Sequence, residues 1–262
     1  VPTIKYPKKI SEASRNLGIT ETFSMLKYII CCCISAASLN AISQKTVDVD
    51  KDVSPSAFNH MYTVAGTPFV MAKFARVVEG SPFFNEKMMK GAVILSEGKE
   101  YKNVLVRLNL LETQVNYMND QSVEMIATTP IKEVVIWDTI LGKDYRFVFS
   151  NYINTTSPIE RDFYELLQTG KAELYKQHKK QMRETRPYGS ATYEQTIQTD
   201  VFYYILTNQQ WTKVKKLRDI PALFPDKKTE LQKFISDKRL SGDSQTNFEA
   251  VISYYNSLFV PQ

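Results

Sequence analysis

The octapeptide NVLVRLNL, residues 103–110, carries the clearest period in the chain. Val104, Val106, Leu108 and Leu110 alternate with Leu105, Arg107 and Asn109, so one face is apolar and the other mixed. A period of two is the signature of a half-buried strand, because successive side chains point to opposite faces of a sheet. The same period recurs on both sides. GAVILSEGKEY (91–101) has an apolar run, a Glu97-Gly98 turn and a return through Tyr101. QVNYMNDQSVEMIAT (114–128) pivots at Asn119-Asp120. EVVIWDTILGKDYRFVFS (133–150) pivots between Leu141 and Asp144, with Tyr145, Phe147 and Phe149 alternating on the way back. FYELLQTGKAELY (163–175) has a two-residue Thr169-Gly170 connection suited to a tight hairpin. VFYYILTNQQWTKVKKL (201–217) turns at Asn208-Gln209. Strands roughly every 10 to 15 residues, joined by short polar turns, predict an antiparallel meander.

After Leu217 the period changes. Two prolines precede Leu231, Phe234 and Ile235 at helical spacing, with Gly242 as a stop. Phe248, Val251, Ile252, Tyr255 and Leu258 then form a stripe, with Asp243 or Ser244 as its cap, while Asn247, Glu249, Ser253 and Asn256 fall elsewhere. The expected fold is mainly β: a curled antiparallel meander of roughly ten strands, followed by two short C-terminal α-helices that cover its open end or concave face.

The front of the chain is of another kind. Met25 is the first methionine; Leu26 and Lys27 follow, then an apolar run with Cys31, Cys32 and Cys33 side by side, then small residues to Ala41. A positive start, an apolar middle and a small-residue end make a secretory signal, cut after Ala37, Ser38 or Ala41. The apolar run is about 15 to 17 residues, short of the roughly 20 that cross a bilayer. Three adjacent cysteines cannot all face one ion tetrahedrally, so they read as polarizable apolar filler in a discarded helix. The chain then divides into residues 1–24 as upstream translation, 25–41 as signal peptide, 42–66 as an extended polar leader, 67–217 as the antiparallel β domain and 218–262 as the helical segment packed on the sheet. The mature part, about 220 residues, is large enough for an ample core and holds no cysteine, hence no disulfide. Of the formal charge of +5, residues 1–41 hold five Lys/Arg against two Glu, leaving the mature part near +2. That is no nucleic-acid footprint.

SPFFNEKMMKGAVILSEGKEYKNVLVRLNLLETQVNYM (81–118), MIATTPIKEVVI (125–136), FYELLQTGKAELYKQHKK (163–180), RPYGSATYEQTI (186–197) and KKLRDIPALFPDKKTELQKFI (215–235) stand in the chain in that order. In pattern and order they resemble uncharacterised exported proteins common in Bacteroidota. The resemblance implies a cell-envelope location and a single folded unit. It implies no activity, no catalytic residue and no cofactor.

The chemistry-bearing residues point the same way. The two histidines are His60, in the leader, and His178, among Lys176, Lys179 and Lys180, which would depress its pKa and repel a divalent cation. His178 therefore reads as a residue on a solvated strand, and neither histidine is a metal ligand. No HExxH, GxSxG, Gly-rich phosphate loop or mature cysteine nucleophile is present. Glu112, Glu124, Glu133, Asp138, Asp162 and Glu165 are scattered through the strands. Paired carboxylates perform glycoside hydrolysis, but no spacing here selects a pair, and solvated strand faces are the expectation. Trp137 and Trp211 sit in aromatic, β-branched strands that favour core packing over sugar stacking. Lys171 to Arg186 holds six Lys/Arg against two Glu and reads as a wet strand face, or as a surface for an anionic lipid or glycan. Asn154-Thr155-Thr156, ahead of Ser157-Pro158, reads as a turn.

The functional expectation is an exported protein of the periplasm or cell surface, binding or structural rather than enzymatic, with no catalytic, metal or cofactor residue. Its partner would be an envelope protein, a glycan or a lipid. A carrier of an apolar ligand in a half-barrel is the alternative, and a carboxylate-dependent glycan-active enzyme a further one. The exported product should begin between Ser38 and Ile42 and contain no thiol. N-terminal sequencing of exported material checks this, and a product that retains Cys31 overturns it.

Overall fold

Asn103 bends the central sheet. In the computed structural model, which describes residues 46–48, 65–70, 76–186, 188–189 and 191–259, Gly91 pairs with Val104 and Ala92 with Lys102, so Asn103 is an extra residue in its strand. It adopts a φ of 61°, the left-handed region that asparagine tolerates better than most residues, and its amide donates to Asp48. A second register shift skips Lys132 in the strand on the other side, between Ile94 and Leu95. Bulges of this kind increase twist and curl a sheet.

The described residues all fall in one unit, Lys45–Gln262. The expected upstream segment 1–24, the signal peptide 25–41 and most of the leader 42–66 lie outside them. Thirteen strands form one sheet among the described residues: β1 (Thr46–Asp48), β2 (Gly66–Pro68), β3 (Val77–Glu79), β4 (Met89–Leu95), β5 (Glu100–Asn109), β6 (Gln114–Met118), β7 (Glu124–Ala127), β8 (Ile131–Asp138), β9 (Lys143–Phe149), β10 (Phe163–Gln168), β11 (Ala172–Thr185), β12 (Glu194–Thr207) and β13 (Gln210–Val214). The last ten are the strands that period-two patterning predicts. The first three are three residues each, too short for a period to register. Two of them pair parallel, β1 with β5 and β3 with β12.

The antiparallel meander runs in two stretches, β4 to β7 and β8 to β13, with one break: β8 pairs with β4 rather than β7. Only Thr128, Thr129 and Pro130 separate β7 from β8. Four Cα steps reach at most about 14 Å. In a flat sheet β7 and β8 would stand four strand spacings apart, about 19 Å. The sheet must therefore curl until β6 and β7 approach β9 and β10.

Three apolar clusters fill the fold among the described residues. The first lies inside the curl and includes Val104, Val106 and Leu108, with Val134, Ile136 and Phe147 from the facing strands. Arg107 and Asn109, on the opposite face of β5, are buried as well, so that face is not the open one the alternation suggests. The second cluster lies between β11–β13 and the C-terminal segment. The third, on the other side of β10–β13, gathers Tyr164, Tyr175, Tyr204 and Trp211 with Ile153 and Ile159 of the β9–β10 connection. Trp211 stacks on Tyr204 at 5.0 Å and meets Tyr164 edge-on, so it packs as expected; Trp137 is half-buried.

Leu217–Leu223 forms a 3-10 turn containing Pro221, then come α1 (Lys228–Asp237) and α2 (Gln245–Ser257). The stop for α1 is Arg239 (φ 51°), not Gly242: Leu240 N–H donates to Ile235 O and Arg239 N–H to Ser236 O, closing the helix with left-handed backbone. Ser244 caps α2 by accepting from Asn247 N–H, while Asp243 accepts from Leu217 N–H. The predicted stripe is the buried face: Phe248, Val251, Ile252 and Tyr255 are each at most 2% exposed. Asn256, off that stripe, does the docking. Its Nδ2 donates to Thr169 O and Ala172 O, and its Oδ1 accepts from Ala172 N–H at 2.8 Å. A Cβ on Gly170 would sit 2.6 Å from the Asn256 amide, so this hairpin needs its glycine. No helix among the described residues is long and apolar enough to cross a membrane.

Ile252 is fully buried between helix and sheet. Ile252→Ala should cost about 2–5 kcal/mol, read as a lower midpoint with unchanged slope in urea unfolding. A midpoint within error of the parent would mean that α2 is not held by this face.

Candidate functional site

The curl leaves an opening at one end. A cleft of about 530 Å3 lies there, between β6, β7 and the β7–β8 link on one side and β9, β10 and the 3-10 turn Ser150–Tyr152 on the other. The volume falls in the roughly 300–1,000 Å3 range of small-molecule sites. Thr128, Thr129 and Pro130 line it because the short crossover brings them there. Val115, Ile131 and Phe163 form its apolar floor, where it meets the packed interior. Below the floor Val115, Ala127 and Ile131 also border a void of only about 10 Å3, so side chains fill the space directly beneath the cleft.

Polar groups ring the cleft. Arg161, exposed, places its guanidinium 5.7 Å from the Phe149 ring centroid, and among the described residues it makes no ion pair. Phe149 and Tyr152 are both half-exposed, their rings 6.4 Å apart. Gln114 lines the cleft, and its Oε1 is buried without a hydrogen-bond partner among the described residues. Gln195 Oε1 in β12 is orphaned as well, as are Asn109 Nδ2 and Asn116 Oδ1, which lie with Gln114 on the outer face of β5–β6, where Asn109 pairs with Gln114. Their orientations are set by the bonds they do make, since Asn109 Oδ1 accepts from Glu112 N–H and Asn116 Nδ2 donates to Glu124.

The carboxylates expected on wet faces are mostly buried and committed. Glu124 takes a fork from Arg107, at 2.8 and 2.7 Å, over which Phe83 lies 3.6 Å from the guanidinium. Glu133 takes a second fork from Arg146. Asp138 Oδ1 accepts from Ile140 and Leu141 N–H and closes the β8–β9 turn. Glu112 is half-buried in the β5–β6 turn.

Asp162 and Glu160 form the pair that period alone could not select. Gln177 Nε2 donates to Asp162 at 2.8 Å and reaches Glu160 at 3.5 Å. Burial pushes the Asp162 carboxyl up, while the hydrogen bond from Lys179 holds that of Glu160 down. Opposite shifts in neighbouring carboxyls mark acid–base pairs in many enzymes. Here Asp162 is buried, and its oxygens already accept from Gln177 and from Phe163 N–H. The pair supports the β9–β10 connection.

His178 is not the solvated residue its lysine neighbours suggest. Its side chain is 13% exposed, lies edge-on to Phe84 at 5.2 Å, and its Nε2 stands 2.6 Å from Glu165. Glu165 is almost fully buried between the first and second clusters, with Lys143 at 3.5 Å and Lys176 at 3.9 Å. Lys176 also donates to Gln245 of α2, tying sheet to helix. Burial depresses the His178 pKa first, and Lys176 and Lys180 add to it, outweighing the bond to Glu165. At Glu165 burial pulls upward, but the His178 bond and the lysine charges win and hold it low. The neutral imidazole therefore donates from Nε2 to an ionised carboxylate. The basic stretch alternates accordingly, with Lys176, His178 and Lys180 on the face of Leu174, and Lys179 opposite, bound to Glu160 at 2.8 Å.

His60 lies outside the described residues. Among the described residues no three His, Cys, Asp or Glu side chains form a metal-sized group. Thr155 and Thr156 both donate to Gln209 O, which makes 154–157 a docked turn. Sequence reading missed the cleft altogether. Its signal was the link TTP (128–130), which lacks the Gly or Asn that a tight hairpin requires and so hints that β7 and β8 are not partners. In comparisons with known proteins, no family model, no curated protein and no solved structure matches the chain.

Both shifted groups at the Glu165–His178 pair bind protons more readily in the unfolded chain, so acid destabilises the fold. The His178 contribution is complete above its ordinary value of 6.5 and declines as pH falls below it. That of Glu165 is complete above 4.5 and is lost as pH falls through its lowered folded value. Urea melts should show stability falling between about pH 7 and 5. In His178→Gln that upper limb should flatten while the loss below it remains. Superimposable profiles would remove His178 as its source.

Proposed function

We propose that this protein is an exported, non-enzymatic binding protein of the cell envelope, and that the cleft at the open end of the curled sheet is its ligand site. The observation that carries the reading is the contrast between polar groups. Buried carboxylates and the imidazole elsewhere are committed to partners inside the fold. At the cleft, Arg161 makes no ion pair among the described residues, and its guanidinium lies over the Phe149 ring. A preformed concavity with a few uncommitted polar groups is the usual form of a small-molecule site. The close packing of Val104, Val106, Leu108, Val134, Ile136 and Phe147 inside the curl argues against a carrier that encloses an apolar ligand within the half-barrel. Export rests on the signal-like order of residues 25–41.

Thr128 is exposed on the cleft wall, so Thr128→Trp should fill the opening without disturbing the core. In a thermal-shift screen of sugars, amino acids and small organic acids, true ligands should raise the melting temperature of the parent. At a hundredfold excess over Kd that is worth about 2.7 kcal/mol. Those shifts should vanish in Thr128→Trp. Ligand shifts that survive this substitution overturn the cleft as the site.

A further inference from the structure

We infer that the cleft takes an acidic saccharide, a sugar unit bearing a carboxylate or another anionic group, with Arg161 as the anion contact and the threonines and Asn151 of the wall as hydroxyl partners. The inference rests on the reading of the cleft as a ligand site and specifies its chemistry. Three features of the wall select it.

The first is charge. Arg161 offers a planar fork of N–H donors that matches an oxyanion bidentately, and its position over Phe149 holds one face of the guanidinium while leaving the fork's edge available. The second is hydrogen-bonding sense. Thr67, Thr113, Thr128 and Asn151 line the wall with hydroxyl and amide groups that both donate and accept. A fatty carboxylate has no donor to give these acceptors, and a hydrocarbon tail would displace their water without replacing its hydrogen bonds. A ring of hydroxyls supplies both donors and acceptors. The third is apolar surface of limited extent. Phe149 and Tyr152 present half-exposed rings on which the C–H face of a sugar can lie, while Phe163 behind them is only 3% exposed. The deeper void, at about 10 Å3, has no room for an alkyl chain. The cleft volume of about 530 Å3 accommodates more than one sugar ring.

The probes are uronate disaccharides (galacturonate, glucuronate, mannuronate and guluronate), a sulfated galactose disaccharide, the neutral parent disaccharides and decanoate. Each is titrated calorimetrically against the full chain and its variants. At least one anionic disaccharide should bind ten or more times tighter than its neutral parent, and decanoate should bind more weakly than that sugar. Arg161→Gln should erase the difference between acidic and neutral sugars while keeping residual binding. Arg161→Lys should restore part of it, and Thr128→Trp should abolish both. Carboxylate against sulfate identifies the anion. Equal affinity for acidic and neutral sugars, both lost in Thr128→Trp, would overturn the acidic preference and leave the cleft standing. Tighter binding of decanoate than of any sugar, or binding of no saccharide, would overturn the saccharide assignment. Saccharide binding untouched by Thr128→Trp would overturn the cleft itself.

Discussion

The chain has four Cα steps in which to pass from Ala127 to Ile131, between strands that are not neighbours in the sheet. That distance constraint shapes the rest of the molecule. A flat sheet cannot satisfy it, so the β4–β7 stretch must curl toward β8–β10. The extra residues at Asn103 and Lys132 supply the bend. Once the sheet has curled, its concave face becomes an interior that Val106, Leu108, Val134, Ile136 and Phe147 fill. The place where the link crosses stays open and becomes the cleft.

The second half of the sheet meets a different requirement. Strands β10–β13 leave one face uncovered, and a sheet face carrying Leu174, Ile205 and Val214 has to be buried. The 3-10 turn and the two helices do this, anchored by the Asn256 amide on the β10–β11 hairpin. Between this core and the first lies Glu165. A carboxylate so deeply buried would be costly alone; His178, Lys143 and Lys176 compensate it. The same polar group thus joins the two cores and makes the joint sensitive to acid.

Commitment of polar groups separates structure from function here. The forks of Arg107 on Glu124 and Arg146 on Glu133, and the Gln177 contact to Asp162, use the bonding capacity of side chains that a sequence reader would list as catalytic candidates. At the cleft one charged group makes no ion pair among the described residues: the Arg161 guanidinium over the Phe149 ring. A saccharide with an anionic substituent has the complementary groups.

By itself the sequence determined the mainly β class, the ten longer strands, most hairpin positions and the buried stripe of α2, although the expected two-residue Thr169-Gly170 turn is a three-residue link, 169–171. Each depends on side-chain period or turn chemistry within a dozen residues, and short-range patterns of that kind survive folding unchanged. It did not determine the three short strands, since three residues carry no period. It placed His178, Glu133, Asp162 and Glu165 on wet faces because polar residues in alternating strands are usually solvated, and burial of their partners from distant strands is invisible along the chain. The end of α1 at Arg239 was likewise hidden, because the expected breaker was Gly242 three residues on. Only the tertiary structure decided that β8 lies beside β4, and hence that the sheet has a mouth. The cleft brings Thr67, Gln114, Thr128, Phe149 and Arg161 together from five separate parts of the chain. Such a site exists through curvature, and curvature is a property of pairing between strands rather than of any one of them.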